Sequence, residues 1–184
     1  MSATLTVVSH AATAATRMAA FPRDEPVERS LDVAGPGRVD SASRGPETRC
    51  AQTAAALGVS AEIDDRLRDC DYGRWRGRRL DEVAGAEPEE VARWLTDPKA
   101  APHGGESIVD LLARVADWLD DLQPGRRIVA VTHPAVVKAM IVTTLGADPP
   151  AFWRIDVTPL SRTVFRGGPH RWNLRWITAN ELSE

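Results

Sequence analysis

Two short apolar runs, each ending on a histidine, constrain the fold more than any other feature of this chain. Thr4 to Val8 is β-branched and stops at Ser9-His10, and Arg127 to Thr132 repeats that character after a Pro124-Gly125 turn and stops at His133. Runs this short and this rich in β-branched residues read as buried strands. In an open α/β sheet, loops and helix N-termini converge on the carboxyl edge of the strands with unpaired N–H groups. Both histidines are therefore expected to face one anion-binding pocket.

The intervening segments predict helices. From Glu106 to Leu122, the residues Ile108, Leu111, Leu112, Val115, Trp118, Leu119 and Leu122 recur at helical spacing. Pro46 suits a first helical position, opening Glu47 to Leu57 with Gly58 as the stop, which puts Arg49 in the first turn. Pro134 opens a further helix over Ala135 to Leu145, closed by Gly146, and leaves His133 at or beside the N-cap. Strands are expected again around Arg154 to Val157, Thr163 to Phe165 and Trp172 to Trp176, with Gly167-Gly168-Pro169 marking a hairpin. Asp24 to Gly37 fits a short helix or a loop, and the polar stretch Arg66 to Arg79 fits a functional loop or lid. The expected architecture is α/β: a three-layer α/β/α sandwich with a mostly parallel central sheet flanked by helices and a C-terminal hairpin. Residues 1–184 read as one domain, since this length supports one core rather than two.

Composition narrows the function. With 23 basic and 26 acidic residues the formal charge is -3, which gives no general attraction for nucleic acid or an anionic membrane surface, so any anion site must be local. Cys50 and Cys70 form no C-x-x-C pair, metal cluster or disulfide framework and read as reduced structural thiols, which implies a cytoplasmic protein. The N-terminus lacks a basic leader region and its apolar run ends after Val8, so neither a signal peptide nor a membrane span is expected. Of six tryptophans, Trp94, Trp118, Trp153, Trp172 and Trp176 suit packing roles, while Trp75, in the polar loop, is placed to touch a substrate. His103 and His170 read as ordinary loop residues, although His103 precedes Gly104-Gly105 and could line a pocket mouth.

Either strand-end histidine alone could be a structural hydrogen-bonder. Arg49 adds a positive charge to the positive end of a helix dipole, an arrangement a bound anion would explain and a pairing with Glu47 would also satisfy. Five motifs in order sharpen the choice. Val7-Val8-Ser9-His10-Ala11-Ala12-Thr13 resembles the opening signature of the histidine phosphatase superfamily, the phosphoglycerate-mutase-like enzymes, which usually reads Arg-His-Gly-Glu/Gln-Thr after a strand. Arg49-Cys50-Ala51-Gln52-Thr53-Ala54 resembles the family's arginine-bearing helix, and Leu67 to Gly77 its acid-bearing loop. Gly104-Gly105-Glu106-Ser107 and Val131-Thr132-His133 resemble the two later segments.

That resemblance implies metal-independent hydrolysis of a small phosphorylated substrate, with no cofactor. His10 would be the nucleophile that forms a phosphohistidine, Arg49 and His133 would hold the phosphoryl oxygens, and Asp69 would be the acid and base, with Asp71 as its competitor. Departures are concentrated in the first loop. Ser9 stands where the signature has arginine and brings a hydroxyl instead of a charge, Ala11 replaces glycine, and Thr16 an asparagine. Arg17 is expected to swing in and bind phosphate beside Ser9. Two other functions remain in view: a weak or inactive member that binds a phosphorylated ligand, and a phosphoglycerate-type mutase. An oligomer built on the C-terminal strands is also compatible with the pattern.

Overall fold

The computed structural model describes residues 2–178. In chain order its elements are β1 (Ala3–Ser9), α1 (Ala14–Met18), β2 (Ser41–Arg44), α2 (Thr48–Ala56), β3 (Glu62–Ile63), two 3-10 turns (Asp65–Leu67 and Gly73–Trp75), α3 (Leu80–Ala86) and α4 (Pro88–Thr96). They continue with α5 (Ile108–Asp120), β4 (Arg127–Thr132), α6 (Pro134–Leu145), a 3-10 stretch (Pro149–Arg154), β5 (Arg162–Gly168) and β6 (Arg171–Thr178). The six strands form one sheet in the order β3-β2-β4-β1-β5-β6, parallel from β3 to β1 and antiparallel across β5 and β6.

The two histidine-tipped runs are thus neighbours at the centre, paired in parallel with Ser9 opposite Thr132. Side chains alternate across them. Ala3, Leu5 and Val7, with Ile128 and Ala130, pack under α5 and α6, whereas Val8 and Val131 meet Cys50, Ala54 and Leu57 from α2 on the other face. Helices on both faces give the expected three layers. Ser107 caps α5 by accepting the Asp110 N–H at 3.1 Å, and the buried stripe Ile108, Leu111, Val115, Trp118 and Leu119 contributes about 1.5–3 kcal/mol per large side chain. Helix α6 is apolar nearly all round because it is wedged between the sheet and α5. Pro134 starts it, and Gly146, at φ 58°, ends it.

Several expectations need correction. Arg154 to Val157 is not a strand: Pro149 and Pro150 lack N–H donors and start a 3-10 stretch, after which Ile155 and Val157 pack on the core from a loop. Pro46 lies outside α2, before its N-cap Glu47. Of the two alternatives for Asp24 to Gly37 the loop is the one observed, tied to Ala12 and Gln52. Arg66 to Arg79 is no open lid, since Leu67, Cys70 and Trp75 are buried along it. Trp75 is wholly inside, stacked with Phe21, Trp94 and His103, and donates its indole N–H to Glu87 at 3.1 Å, so it has no face left for a substrate. Trp176 is the exception among the packing tryptophans, standing half exposed under the Arg175 guanidinium. Among the described residues, no helix is long and apolar enough to cross a membrane.

Candidate active site

His10 is the first residue beyond β1, and its N–H still donates to Thr132 at 2.8 Å, so the sheet ladder itself fixes its position. The ring Nδ1 lies 2.7 Å from the Ala11 carbonyl oxygen, which can only accept. Nδ1 therefore carries the hydrogen and Nε2 the free lone pair. Burial, and next the charge on His133, lower the His10 pKa from 6.5 to about 4, so the imidazole is neutral at neutral pH.

The His133 ring centroid lies 5.1 Å away, at the N-cap of α6 and fully buried. Its Nε2–H donates to Glu47 Oε2 at 2.8 Å, with Cys50 Sγ 3.3 Å from the same nitrogen. Nδ1 accepts the Arg49 Nε–H at 3.3 Å and lies 3.4 Å from Asp69 Oδ2, toward which it donates only when the ring carries a second hydrogen. Burial works against charge on this ring, but Asp69, the Cys50 sulfur and Glu47 outweigh it and hold the pKa up at about 10. Glu47 shows the reciprocal effect. Burial opposes its ionisation, yet the His133 ring and the Asp69 N–H, donated to Oε1 at 3.0 Å, bring its pKa down to about 2.

Arg49 occupies the second position of α2, where the dipole is unfavourable for a cation, and is nevertheless buried. Its guanidinium donates to the Arg23 carbonyl at 2.6 Å and to Asp69 Oδ2 at 2.8 Å. Asp69 in turn is held by its backbone. Arg114, from α5, donates to the carbonyls of Arg66, Arg68 and Asp69 at 2.6, 3.1 and 3.5 Å and pairs with Glu106 at 2.7 Å in an almost dry setting. Gly105 lets this region close: a Cβ there would lie 2.0 Å from the Asp71 carbonyl.

His10, Arg49, Asp69 and His133 are thus brought together. A 180 Å³ cleft reaches two of them, His10 and Asp69, and is lined also by Thr13, Thr16, Tyr72 and Pro134. Larger surface hollows of 610 and 680 Å³ lie beside the β5–β6 hairpin and between Gly35 and Ser60, and neither includes a member of this cluster. The other expected residues stand apart. Strand alternation turns the Ser9 side chain to the face opposite His10, where its buried Oγ has no partner among the described residues. Arg17 is 70% exposed on α1 and paired with Glu28 at 3.0 Å. Asp71 braces its own turn, accepting the Gly73 N–H at 2.8 Å and facing Arg76. His103 is a buried structural histidine whose Nδ1 accepts from Gly105, and His170 sits exposed in the hairpin turn beside Asp120.

Two residues escaped the sequence reading. Glu47 and Arg114 look like surface charges on helices, and only contacts with segments far away in the chain show otherwise. Glu47, Cys50 and His133 also gather three atoms of metal-binding type. The 2.8 Å between the carboxylate and the ring is a hydrogen bond, shorter than the roughly 3.3 Å that two nitrogen or oxygen ligands keep around one tetrahedral zinc. The trio as arranged does not surround an ion.

Known proteins resemble this chain in sequence and in fold. The family described as Histidine phosphatase superfamily (branch 1) matches residues 33–180, a span that includes Arg49, Asp69 and His133 and begins after His10. Phosphoserine phosphatase 1 of Hydrogenobacter thermophilus is 31% identical over 117 residues, covering 61% of this chain and 56% of that protein. Glucosyl-3-phosphoglycerate phosphatase of Mycolicibacterium vanbaalenii is 34% identical over 113 residues, covering 53% and 50%. The chain spans 32% to 63% of the length of these and related curated proteins. The native structure of a mycobacterial glucosyl-3-phosphoglycerate phosphatase superposes with a TM-score of 0.77 at 23% identity, covering 95% of this chain and 97% of that one.

Proposed function

This chain belongs to the histidine phosphatase superfamily, branch 1, and from that premise we propose that it hydrolyses a small phosphomonoester through a phosphohistidine on His10, without a metal. The observation that carries the reading is the neutral His10 ring, with Nδ1–H given to Ala11 and the Nε2 lone pair left free in a cleft lined by Asp69, behind which Arg49 and His133 contact Asp69 at 2.8 and 3.4 Å. In the first step Nε2 attacks phosphorus, the bond to the leaving oxygen breaks, and that oxygen takes a proton from the acid form of Asp69. In the second, water attacks phosphorus, Asp69 takes its proton, the phosphorus–nitrogen bond breaks, and inorganic phosphate leaves with His10 restored. Arg49 and His133 carry the charge spread over the equatorial oxygens.

The Asp69 carboxylate is bound to Arg49, one of the groups assigned to the phosphoryl oxygens. A phosphoryl group that takes that guanidinium displaces the carboxylate, which then takes up a proton from water and becomes the acid of the first step. The small cleft and the relatives' named substrates, a phosphoserine and a glucosyl-phosphoglycerate, support a small phosphorylated metabolite. We read the chain as one cytoplasmic domain. Hydrolysis of an aryl phosphate in the presence of a chelator, from acid to neutral pH, tests the reading beside His10→Ala. Turnover by the native protein and none by the variant is expected; equal background rates would defeat it.

One observation favours a second reading, a member that binds phosphorylated ligands without turning them over. Ser9 contributes no charge, and Arg17 is engaged with Glu28. Tight phosphate binding with background hydrolysis would select it.

A further inference from the structure

A phosphoryl dianion in this pocket needs more positive charge than Arg49 supplies, because Ser9 is neutral and Arg17 is turned to solvent on Glu28. The remaining candidate is His133. A histidine whose Nε2–H is already committed offers a phosphoryl oxygen only a lone pair at Nδ1 unless the ring carries a second hydrogen. We propose that Glu47 is a positioning residue: by holding Nε2–H it keeps His133 doubly protonated, so that Nδ1–H stands beside Arg49 as the second cationic donor to a phosphoryl group. The inference rests on the phosphate-binding part of the function proposed above and extends it to the residue behind the pocket.

Three observations converge. The Glu47–His133 hydrogen bond is short, at 2.8 Å, and made to a fully buried ring. The second Glu47 oxygen accepts the Asp69 N–H at 3.0 Å, so one carboxylate sets the separation between the acid and the binding histidine. Space for it depends on Gly45: a Cβ there would fall 2.9 Å from Glu47 Oε2, 3.0 Å from His133 Nε2 and 2.8 Å from the Leu67 carbonyl. Any side chain at position 45 would crowd the contact. The groups facing His133 are Glu47 before α2, Arg49 and Cys50 on α2, Asp69 on the acid loop and His10 at the end of β1. Two of these are cation-stabilising carboxylates, and Asp69 is the one that substrate displaces from Arg49. Glu47 alone remains behind the ring throughout, as a second-position carboxylate does for a metal-bound or catalytic histidine.

The test uses the intact protein and sulfate, which stays a dianion from pH 5.5 to 9. In the native protein, nitrogen-15 signals of the His133 ring should show both ring hydrogens through neutrality, and sulfate affinity should be flat between about pH 6 and 8. Glu47→Gln keeps the shape and removes the charge. It should lower the pH at which His133 loses its second hydrogen, with Asp69 still beside the ring, and weaken sulfate about tenfold at pH 8 while leaving binding at pH 5.5 near native. Glu47→Asp should recover part of that loss. A native ring that loses a hydrogen below pH 7 overturns the proposal even if the variants do not fold. So does a folded Glu47→Gln protein with native affinity at both pH values. If aryl phosphate is not hydrolysed yet these shifts appear, the catalytic reading fails and this one stands.

Discussion

Replacing Asp69 by asparagine should move anion binding and turnover in opposite directions. The native carboxylate lies 2.8 Å from Arg49 Nη2 and 3.4 Å from His133 Nδ1, with its side chain only 12% exposed, so an incoming phosphate competes with a charge-assisted hydrogen bond in a poorly screened place. Hydrogen bonds to charged groups contribute about 1.5–3 kcal/mol net, with the ion pair at the upper end and the amide, still bonded to a charged guanidinium, at the lower. The difference, about 1–1.5 kcal/mol, corresponds to roughly a tenfold gain in phosphate affinity. Loss of the acid should cost about 10²–10⁴ in kcat on an alkyl phosphate, whose leaving oxygen needs a proton, and less on a nitrophenyl ester. Calorimetry with inorganic phosphate at pH 7 and steady-state rates on the two esters measure both sides. Weaker phosphate binding in the variant would refute the idea that phosphate displaces Asp69 from Arg49, and an undiminished rate on the alkyl ester would remove it as the acid.

Arg114→Met should destabilise the fold by about 3–5 kcal/mol, since it leaves the nearly buried Glu106 with only the longer Arg68 contact at 3.5 Å and removes the donor to three loop carbonyls; a denaturant midpoint shift worth under about 1 kcal/mol would contradict that role. Thermal stability should fall on both sides of neutrality. The lowered pKa of His10 contributes stability that is present above 6.5 and lost as pH falls to about 4, and the raised pKa of His133 contributes stability that is complete below 6.5 and lost as pH rises through about 10. Melting curves of His10→Ala should lack the first decline. Trp75→Ala should cost about 3–5 kcal/mol in urea unfolding without a specific rise in KM, because the indole is walled in by Phe21, Trp94 and His103.

The centre of the molecule was legible because local and tertiary preferences coincide there. The runs before His10 and His133 are β-branched and enclosed by helices, and Pro134 and Gly146 punctuate α6 where the chain must start and stop. The short strands β2 and β3 were not legible, since the polar Ser41–Arg44 takes its pairing from β4 and the two-residue Glu62–Ile63 takes its pairing from β2, rather than from their own side chains. In the site, Arg49 betrayed itself by a charge in the wrong place on a helix. Glu47 gave no such sign: a glutamate just before a helix is favoured by the dipole, and its real partner is 86 residues on. Arg17 shows the opposite error, a basic residue near the loop whose position on the exposed side of α1 commits it to Glu28.

The parallel pairing of β1 with β4 has a consequence for how the site opens. His10 and His133 are anchored by the central ladder, so separating them requires breaking strands that also hold the core together. Asp69 hangs on a loop secured by Arg114 and Glu47, contacts that can be released without touching a strand. Amide exchange should therefore divide the proposed catalytic groups into two classes, with the backbone around both histidines exchanging only on global unfolding and the Arg68–Asp71 segment exchanging through a cheaper local excursion. Phosphorus recognition would then be as durable as the protein itself, while the proton donor would be the part free to adapt to different leaving groups.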